Sequence, residues 1–201
     1  MDSTYHHGSL REALLAEGRR VLLEQGPEAV TLRELARRTG VSHAAPSRHF
    51  ADRDALLGAL AADGFDELTR RLRDSSRHES LHDRLSDYAH GHVRFAVENG
   101  PLMALMFGRT PHPGEPDADA ALRFYALGAE LLGEAPGAPV GPVPYVLAGT
   151  LEGISALIVA GRLAPDDVDT VIAEAVAMLE PRVRAQLEGG GLARSGSVPE
   201  S

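Results

Sequence analysis

The stretch with the most informative chemistry is residues 40 to 50, which read GVSHAAPSRHF. It places His43, Arg48 and His49 in one short segment beside small side chains. A guanidinium can hold guanine with two hydrogen bonds or clamp a phosphate, and imidazole N–H groups can donate to phosphates. Reading the major groove of DNA requires such side chains on a short exposed helix. The segment therefore indicates nucleic-acid recognition rather than a reaction.

Each of these residues also has an ordinary structural interpretation. Arg48 can be a solvated surface arginine, and His43 and His49 can cap or pack locally. Ala44 is favoured to face DNA, where a small side chain would contact a thymine methyl group. Ala45 is favoured to pack against the preceding helix instead. The segment alone leaves these alternatives open.

The elements that must position this segment begin with the sequence TLRELARRTG. Thr31 and Glu34 have the spacing of a capping box. Gly40 follows where a helix commonly ends in a left-handed residue, and Val41 can plug the corner before Ser42 caps the next short helix. The pattern predicts a helix, a tight turn and a second helix. The buried face of the first helix would consist of Leu32, Leu35 and Ala36.

Two details decide whether the second helix can read DNA. With Ser42 as its N-cap, Pro46 falls at about the fourth helical position, where it costs at most one backbone hydrogen bond. A helix over residues 43 to 49 is therefore expected despite the proline. The free backbone amides that start the preceding helix, next to Thr31, form a predicted phosphate site, which Arg33 can extend.

The remainder of the chain follows helical periodicity. A first helix, SLREALLAEGRRVLLEQG, is predicted after Ser9, with its apolar stripe at Leu10, Leu14, Val21 and Leu22. Six more helical segments follow residue 51, separated by connectors rich in proline and glycine. No segment shows the alternation of a β-strand. The sequence predicts an all-α fold of about nine helices, with a helix-turn-helix domain at 1–55, a larger helical domain at 56–188 and a disordered tail at 189–201.

Charge is distributed unevenly along the 201 residues, whose formal net charge is −9. Residues 1 to 55 hold eight arginines and eight acidic residues, so all of the excess acid lies in the remainder. A neutral head can still bind phosphates through a local patch of arginine and histidine. The chain has no cysteine, no secretory signal and no apolar run of the roughly 20 residues that cross a bilayer. These features favour a cytoplasmic protein without a membrane span.

Enzymatic and metal chemistry find no support in the motifs. The sequence has no GxSxG elbow, phosphate loop, HExxH motif or dinucleotide fingerprint. His90 and His92 would point roughly 200° apart on a helix of 3.6 residues per turn. His78 and His82 have i,i+4 spacing, but a predicted helix break near Ser80 separates them and no third ligand is evident. We therefore expect no enzymatic activity, no cofactor and no metal site.

Residues 31 to 57, TLRELARRTGVSHAAPSRHFADRDALL, resemble the helix-turn-helix of the TetR family of transcriptional regulators. The capping residue, the small Ala36, the turn at Gly40 and the Leu56-Leu57 pair appear in the expected order. Weaker similarity extends over FAVENGPLMALMFG and LEGISALIVAGRL to a subgroup with a so-called WHG C-terminal domain. The resemblance implies a DNA-binding head followed by a domain for effector binding and dimerisation.

Several positions depart from the family's pattern. Ser47 stands where family members usually have a tyrosine that touches the DNA backbone, so it has a hydroxyl but less reach. Arg53 replaces the usual lysine and can still grip a phosphate. Ala148 and Glu152 stand where the WHG subgroup has its tryptophan and histidine, and Gly153 is retained.

The resemblance implies a homodimeric regulator, and specifically a repressor. Its two heads would read a palindromic operator about one helical turn apart, roughly 34 to 36 Å. A small, mostly apolar effector would release the DNA. The rival interpretation is a dimeric helical interaction protein that has lost specific DNA binding.

Two further sets of residues follow from this expectation. In both sets, the same spacing is also typical of ordinary internal core. The expected dimer interface comprises Ile154, Leu157, Ile158, Val171, Ala175 and Met178. The expected effector site comprises Tyr88, His92, Phe95, Met103, Met106, Phe107, Phe124 and Leu127.

Overall fold

A computed structural model describes the backbone of residues 4–111, 114–134, 137 and 139–192. In this part of the chain there are eight α-helices and four short 3-10 helices, and no β-strand. The α-helices are α1 (Thr4–Gln25), α2 (Leu32–Thr39), α3 (Arg53–Leu72), α4 (Leu81–Glu98), α5 (Gly100–Gly108), α6 (Pro116–Leu131), α7 (Pro142–Val159) and α8 (Val168–Leu192). The 3-10 helices are Pro27–Ala29, Pro46–Arg48, Arg73–Arg77 and Pro165–Asp167.

The predicted all-α fold is confirmed, with one helix fewer than expected. The missing α-helix is the one predicted over residues 43 to 49, where a turn and the 3-10 helix Pro46–Arg48 stand instead. Two helix ends also differ from the prediction. Helix α1 begins at Thr4 rather than after Ser9, and α8 includes residues 189–192, which the sequence assigns to the tail. The rest of the predicted tail, 193–201, lies outside the described residues.

The chain divides into two compact units. The first unit comprises residues 1–67 and 99–122, so it contains α1, α2, most of α3, α5 and the start of α6. The second comprises residues 68–98 and 123–201, with α4, most of α6, α7 and α8. The functional boundary expected after residue 55 falls in the first turn of α3 and stays a prediction.

The first unit is built on the apolar stripe predicted for α1. Leu14, Val21 and Leu22 are fully buried, and so are Leu35 and Ala36 of α2. Burial of the two stripes against each other removes apolar surface from water, which is the main stabilising contribution to such a unit. The packing leaves the chain between α2 and α3 at the surface.

The second unit is organised around α4, which packs against both α7 and α8. Three histidines of α4 each lie beside a carboxylate of those two helices. The pairs are His82 with Glu180 of α8 (3.0 Å), His90 with Asp169 of α8 (3.4 Å) and His92 with Glu152 of α7 (2.9 Å). The histidines therefore serve as polar contacts between helices.

Helix α7 is the most exposed apolar element of the second unit. By length and composition alone it is the one helix in the described residues that is apolar enough to cross a membrane. Only 39% of its residues are buried inside the chain. Tyr145, Val146, Leu157 and Val159 are among its exposed side chains.

Gly64 marks a close approach of α3 to α5, and a side chain there is expected to destabilise the first unit. A Cβ atom at Gly64 would lie 2.6 Å from the Met106 sulfur and 3.1 Å from Leu102 Cδ1. We expect Gly64→Ala to lower the free energy of unfolding by about 1 to 3 kcal/mol through overpacking. Thermal unfolding measures this effect.

Gly108→Ala is the matched control, because nothing lies within 4 Å of a Cβ at Gly108. It should leave the midpoint of thermal unfolding unchanged or slightly raised, since alanine is the better helix former. Equal destabilisation by the two substitutions would contradict the close approach at Gly64.

Candidate nucleic-acid interface

Helix α2 begins with the N-cap that its sequence predicts. Thr31 has an extended backbone, and its hydroxyl accepts a hydrogen bond from the Glu34 N–H at 3.1 Å. In a full capping box the Glu34 carboxylate would accept a hydrogen bond from the Thr31 N–H. Here that carboxylate binds Arg37 and Arg38 instead. The other amides at the start of α2 therefore keep the character of an anion site.

The tight turn after α2 also has the predicted form. Gly40 adopts a left-handed backbone with φ of 71°, which glycine reaches without steric cost. The Val41 N–H then donates to the Ala36 carbonyl at 3.1 Å, so the chain turns sharply at the end of α2.

The reading segment, residues 42–50, is a turn followed by a 3-10 helix, and the expected α-helix over residues 43 to 49 is wrong. Pro46 has no N–H, so it cannot make the α-helical bond to the Ser42 carbonyl. Instead the Ala45 N–H donates to Ser42 at 3.0 Å and the Arg48 N–H donates to Ala45 at 3.2 Å. These three-residue steps wind the backbone more tightly than an α-helix.

The tight winding still separates the reading segment into an inner and an outer face. Pro46 and Phe50 are buried, while Ala45 and His49 are half-buried. Ala44 is exposed and Ala45 packs inward, which is the arrangement favoured by the sequence. The exposed residues of the segment are Ser42, His43, Ala44, Ser47 and Arg48.

Exposed positive charge is available on α2 and on the reading segment. Arg33 and Arg48 are both exposed, and neither forms a salt bridge with another residue in the described part of the chain. Arg37 and Arg38, by contrast, bind Glu34 at 2.6 Å each. Hydrogen bonds from Arg37 and then Arg38 lower the pKa of Glu34 to about 2, so its charge persists at neutral pH. Arg37 and Arg38 are thus largely neutralised within α2.

Arg53 has a structural role that sequence reasoning missed. Its Nε donates to the Val30 carbonyl at 3.0 Å, and Nη2 donates to the Pro27 carbonyl at 2.7 Å. The side chain thereby ties the start of α3 to the chain between α1 and α2. The predicted phosphate contact of Arg53 stays a prediction, because a guanidinium has five donors and two of its nitrogens are used here.

The eight residues predicted to bind an effector fall in different units. Met103, Met106 and Phe107 belong to the first unit, where the Phe107 ring lies 5.2 Å from the ring of Phe65. Seven of the eight are buried, and Phe107 is half-buried. The other five, all in the second unit, are Tyr88, His92, Phe95, Phe124 and Leu127.

In the second unit the predicted aromatic and histidine side chains do meet. The His92 ring lies 6.3 Å from Tyr88 and 6.0 Å from Phe124, and burial raises the pKa of Tyr88. The sequence missed the polar partner, since the His92 Nε2 lies 2.9 Å from the Glu152 carboxylate. The sequence feature that could have indicated this partner is Glu152 itself, a lone carboxylate within the apolar helix α7, at a position that departs from the WHG pattern.

Two cavities lie away from these eight residues. A groove of about 440 Å³ runs beside α8 in the second unit, and a pocket of about 190 Å³ lies beside the start of α3 in the first. None of the eight predicted effector residues lines either of them.

The residues predicted for a dimer interface separate into two groups. Ile154 and Ala175 are buried within the chain, so they belong to its own core, as the alternative interpretation had it. Ile158 and Val171 are half-buried. Leu157 and Met178 are exposed, Met178 to 78%.

Comparison with known proteins agrees with this geometry. The family model described as "Bacterial regulatory proteins, tetR family" matches residues 14–60, which include the second half of α1, all of α2, the reading segment and the start of α3. The HTH-type transcriptional regulator Rv1816 of Mycobacterium tuberculosis is 34% identical over 125 residues, which cover 59% of this chain and 53% of that protein. The HTH-type transcriptional repressor Rv3405c of the same organism is 32% identical over 90 residues, covering 45% and 48%. The chain thus spans about half the length of the curated relatives it matches.

A solved structure from Rhodococcus sp. RHA1, described as a protein with unknown function, is similar along most of the chain. It is 37% identical, with a TM-score of 0.73, and the match covers 89% of this chain and 97% of that one. The all-helical arrangement is therefore shared over both units.

Loss of the Arg53 side chain is expected to destabilise the fold, because its two backbone acceptors would lose a charged donor. We expect Arg53→Met to lower the free energy of unfolding by about 1 kcal/mol, the size typical of partly exposed hydrogen bonds. Arg33→Met is the matched control, since Arg33 is exposed and has no salt bridge in the described residues. Chemical denaturation compares the two. Equal stabilities would show that the carbonyl contacts of Arg53 contribute nothing.

Proposed function

We propose that this chain, which belongs to the tetR family of bacterial regulatory proteins, binds DNA through the exposed face of its reading segment and represses its own or a neighbouring gene. The observation that carries the proposal is the outer face of residues 42–48. It presents Arg48, His43 and Ser47 to solvent on a tight corner, and the buried Phe50 anchors its inner side. The repressor Rv3405c among the similar proteins supports repression rather than activation.

The proposed contacts with DNA fall into two classes, those with base edges and those with phosphates. Arg48 and Ala44 are the candidates for base edges, because a guanidinium pairs with guanine and a small side chain admits a thymine methyl. Phosphate contacts fix the register, and they are assigned to Arg33 and to the amides that follow Thr31. His43, His49, Ser42 and Ser47 are further hydrogen-bond donors at the same surface.

A single head reads few base pairs, so the proposal includes a homodimer on a palindromic operator. Supporting it, α7 is strongly apolar but mostly unburied within one chain, and Leu157 and Met178 are exposed. Monomeric proteins seldom leave a large contiguous apolar patch in water, and covering such a patch by a second copy removes the cost.

The proposed effector site is the buried group around His92. Tyr88, Phe124 and Glu152 lie next to this histidine in the second unit, and they combine an apolar lining with polar groups. A small and mostly apolar molecule with one hydrogen-bonding group would suit that chemistry, provided that side chains rearrange to admit it.

Replacing Arg48 tests the proposed interface. Duplexes selected from a random pool provide the preferred sequence, and titrations at two salt concentrations measure affinity. We expect Arg48→Ala to weaken binding to the preferred sequence by about 1 to 3 kcal/mol if Arg48 contacts a base edge. If Arg48 contacts a phosphate, the variant loses affinity for all DNA sequences alike. The slope of the logarithm of affinity against the logarithm of salt concentration then becomes shallower by about one.

Arg37→Ala is the matched control, because Arg37 is exposed but held by Glu34. It should change affinity far less than Arg48→Ala. Equal affinities of Arg48→Ala and the unmodified protein would remove Arg48 from the interface. Failure to select any preferred duplex would favour the rival, a helical interaction protein without specific DNA binding.

Charge placed on the exposed apolar surface tests the dimer. Met178→Glu and Leu157→Glu are each expected to raise the dimer dissociation constant at least about tenfold, since an unpaired buried charge costs more than 1.4 kcal/mol. Val97→Glu, at an exposed apolar residue of α4, is the control and should leave the mass unchanged. Light scattering over a dilution series gives the mass. A dimer unaffected at both positions would place its interface elsewhere.

A further inference from the structure

Arg109 follows α5 directly and donates hydrogen bonds to two carboxylates of very different exposure within the first unit, while a third carboxylate, that of Glu115, lies 3.8 Å from its Nη2. Its Nε donates to Asp117 Oδ2 at 3.0 Å. Its Nη1 and Nη2 donate to Asp54 Oδ1 and Oδ2 at 2.6 and 3.3 Å. Asp117, in the first turn of α6, is 2% exposed, whereas Asp54, in the first turn of α3, is 64% exposed. One guanidinium thus joins the starts of α3 and α6 to the end of α5.

The contact of Arg109 with Asp54 separates more easily than its contact with Asp117. The hydrogen bonds with Asp54 contribute most to raising the pKa of Arg109, so the guanidinium stays charged under all ordinary conditions. A buried carboxylate such as Asp117 is costly without its cation. Water can solvate Asp54 when it leaves, and exposed ion pairs separate at little cost. Asp117 is therefore the fixed end and Asp54 the exchangeable end.

A second position for the guanidinium also exists. Asp117 Oδ1 is buried without a hydrogen-bond partner in the described residues. A Cβ at Gly58 would lie 3.5 Å from this oxygen and 3.3 Å from Arg109 Nη2, so both atoms border the same gap over α3. If Asp54 leaves, Nη2 can turn to Oδ1, and Nε and Nη2 then hold Asp117 with two parallel bonds. Both arrangements satisfy the cation.

The exchangeable end lies next to the reading segment. Asp52 Oδ1 accepts the Ala55 N–H at 2.8 Å and so caps α3, and Phe50 anchors the chain just before it. Arg53 ties the same turn to carbonyls between α1 and α2. The first turn of α3 is thus held on one side by Arg53 and on the other by Asp54. Its orientation sets that of the reading segment, because the two are continuous in the chain.

We propose that Arg109 is a positioning residue for DNA binding, which acts through Asp54. Its bonds to Asp54 hold the first turn of α3, and with it residues 42–50, in the arrangement that binds the preferred DNA. Departure of Asp54 from both Nη1 and Nη2, with Nη2 turning to Asp117 Oδ1, releases this restraint and leaves no buried charge unpaired. This proposal rests on the proposed DNA-binding function.

The restraint itself is measured without DNA, by hydrogen–deuterium exchange of the full chain. Asp54→Asn weakens the exchangeable end, and we expect amides of residues 47–56 to exchange at least about threefold faster. Asp63→Asn is the matched control, because Asp63 is an exposed acid of the same helix without a salt bridge in the described part. Exchange in Asp54→Asn that equals the control would overturn the proposal.

The DNA arm compares affinities for the selected duplex. Removal of any acid favours DNA binding electrostatically, and Asp63→Asn measures that effect. Against it, we expect Asp54→Asn to bind the selected duplex at least about fivefold more weakly, with an unchanged salt dependence, because no phosphate contact is lost. An affinity equal to that of the control would overturn the proposal.

Arg109→Lys completes a double-mutant cycle, since lysine keeps the charge beside Asp117 but cannot fork to two carboxylates. The double variant should bind no more weakly than the weaker single variant. Strictly additive losses of DNA affinity would show a merely structural role for Arg109. So would losses of affinity that simply follow the decrease in melting temperature. If the unmodified protein selects no duplex, the proposed function fails, and the exchange experiment still decides whether the pair restrains the segment.

Discussion

Close packing at Gly18 is the constraint on which the first unit depends. A Cβ at this position in α1 would lie 3.3 Å from Leu60 of α3 and 3.4 Å from Leu35 of α2, so three helices meet where one side chain is missing. Because the backbone of α1 can come this close, both leucines are buried almost completely. The chain between α2 and α3 then lies at the edge of the core, which it enters only with Pro46 and Phe50. Its tight winding around Pro46 sends one face inward and the other to solvent.

The electrostatics of the head follow from that packing. Residues 1–55 are neutral overall, and a neutral total by itself does not attract a polyanionic partner. The structure resolves this by pairing the acids locally: Glu17 and Glu34 bind arginines of α1 and α2. Arg33 and Arg48 remain exposed without such partners in the described residues. A neutral total therefore coexists with a local positive surface, because opposite charges cancel in pairs rather than on average.

The second unit divides its apolar residues between an internal core and a surface. Helix α4 carries histidines that meet carboxylates of α7 and α8, while Tyr88 and Phe95 fill the space between the helices. Satisfied polar pairs of this kind specify how helices align, whereas apolar contacts alone tolerate sliding. Other apolar side chains of α7 and α8, Leu157 and Met178 among them, are exposed, so the same helices supply both the core and an exposed apolar surface.

The sequence by itself determined the features that depend on neighbours within one turn. The Thr31 cap, the left-handed Gly40 and the apolar stripe of α1 were all predicted correctly, since each is decided by local spacing. Pro46 was expected to cost at most one hydrogen bond, but a helix of about seven residues has too few bonds to spare one. The α-helix therefore gives way to a turn and a 3-10 helix.

Only tertiary structure decided the rest. Arg53 reaches carbonyls 23 and 26 residues away, Arg109 reaches Asp54 across 55 residues, and His92 meets Glu152 across 60. No local pattern encodes such partners, because their distance depends on how whole helices pack.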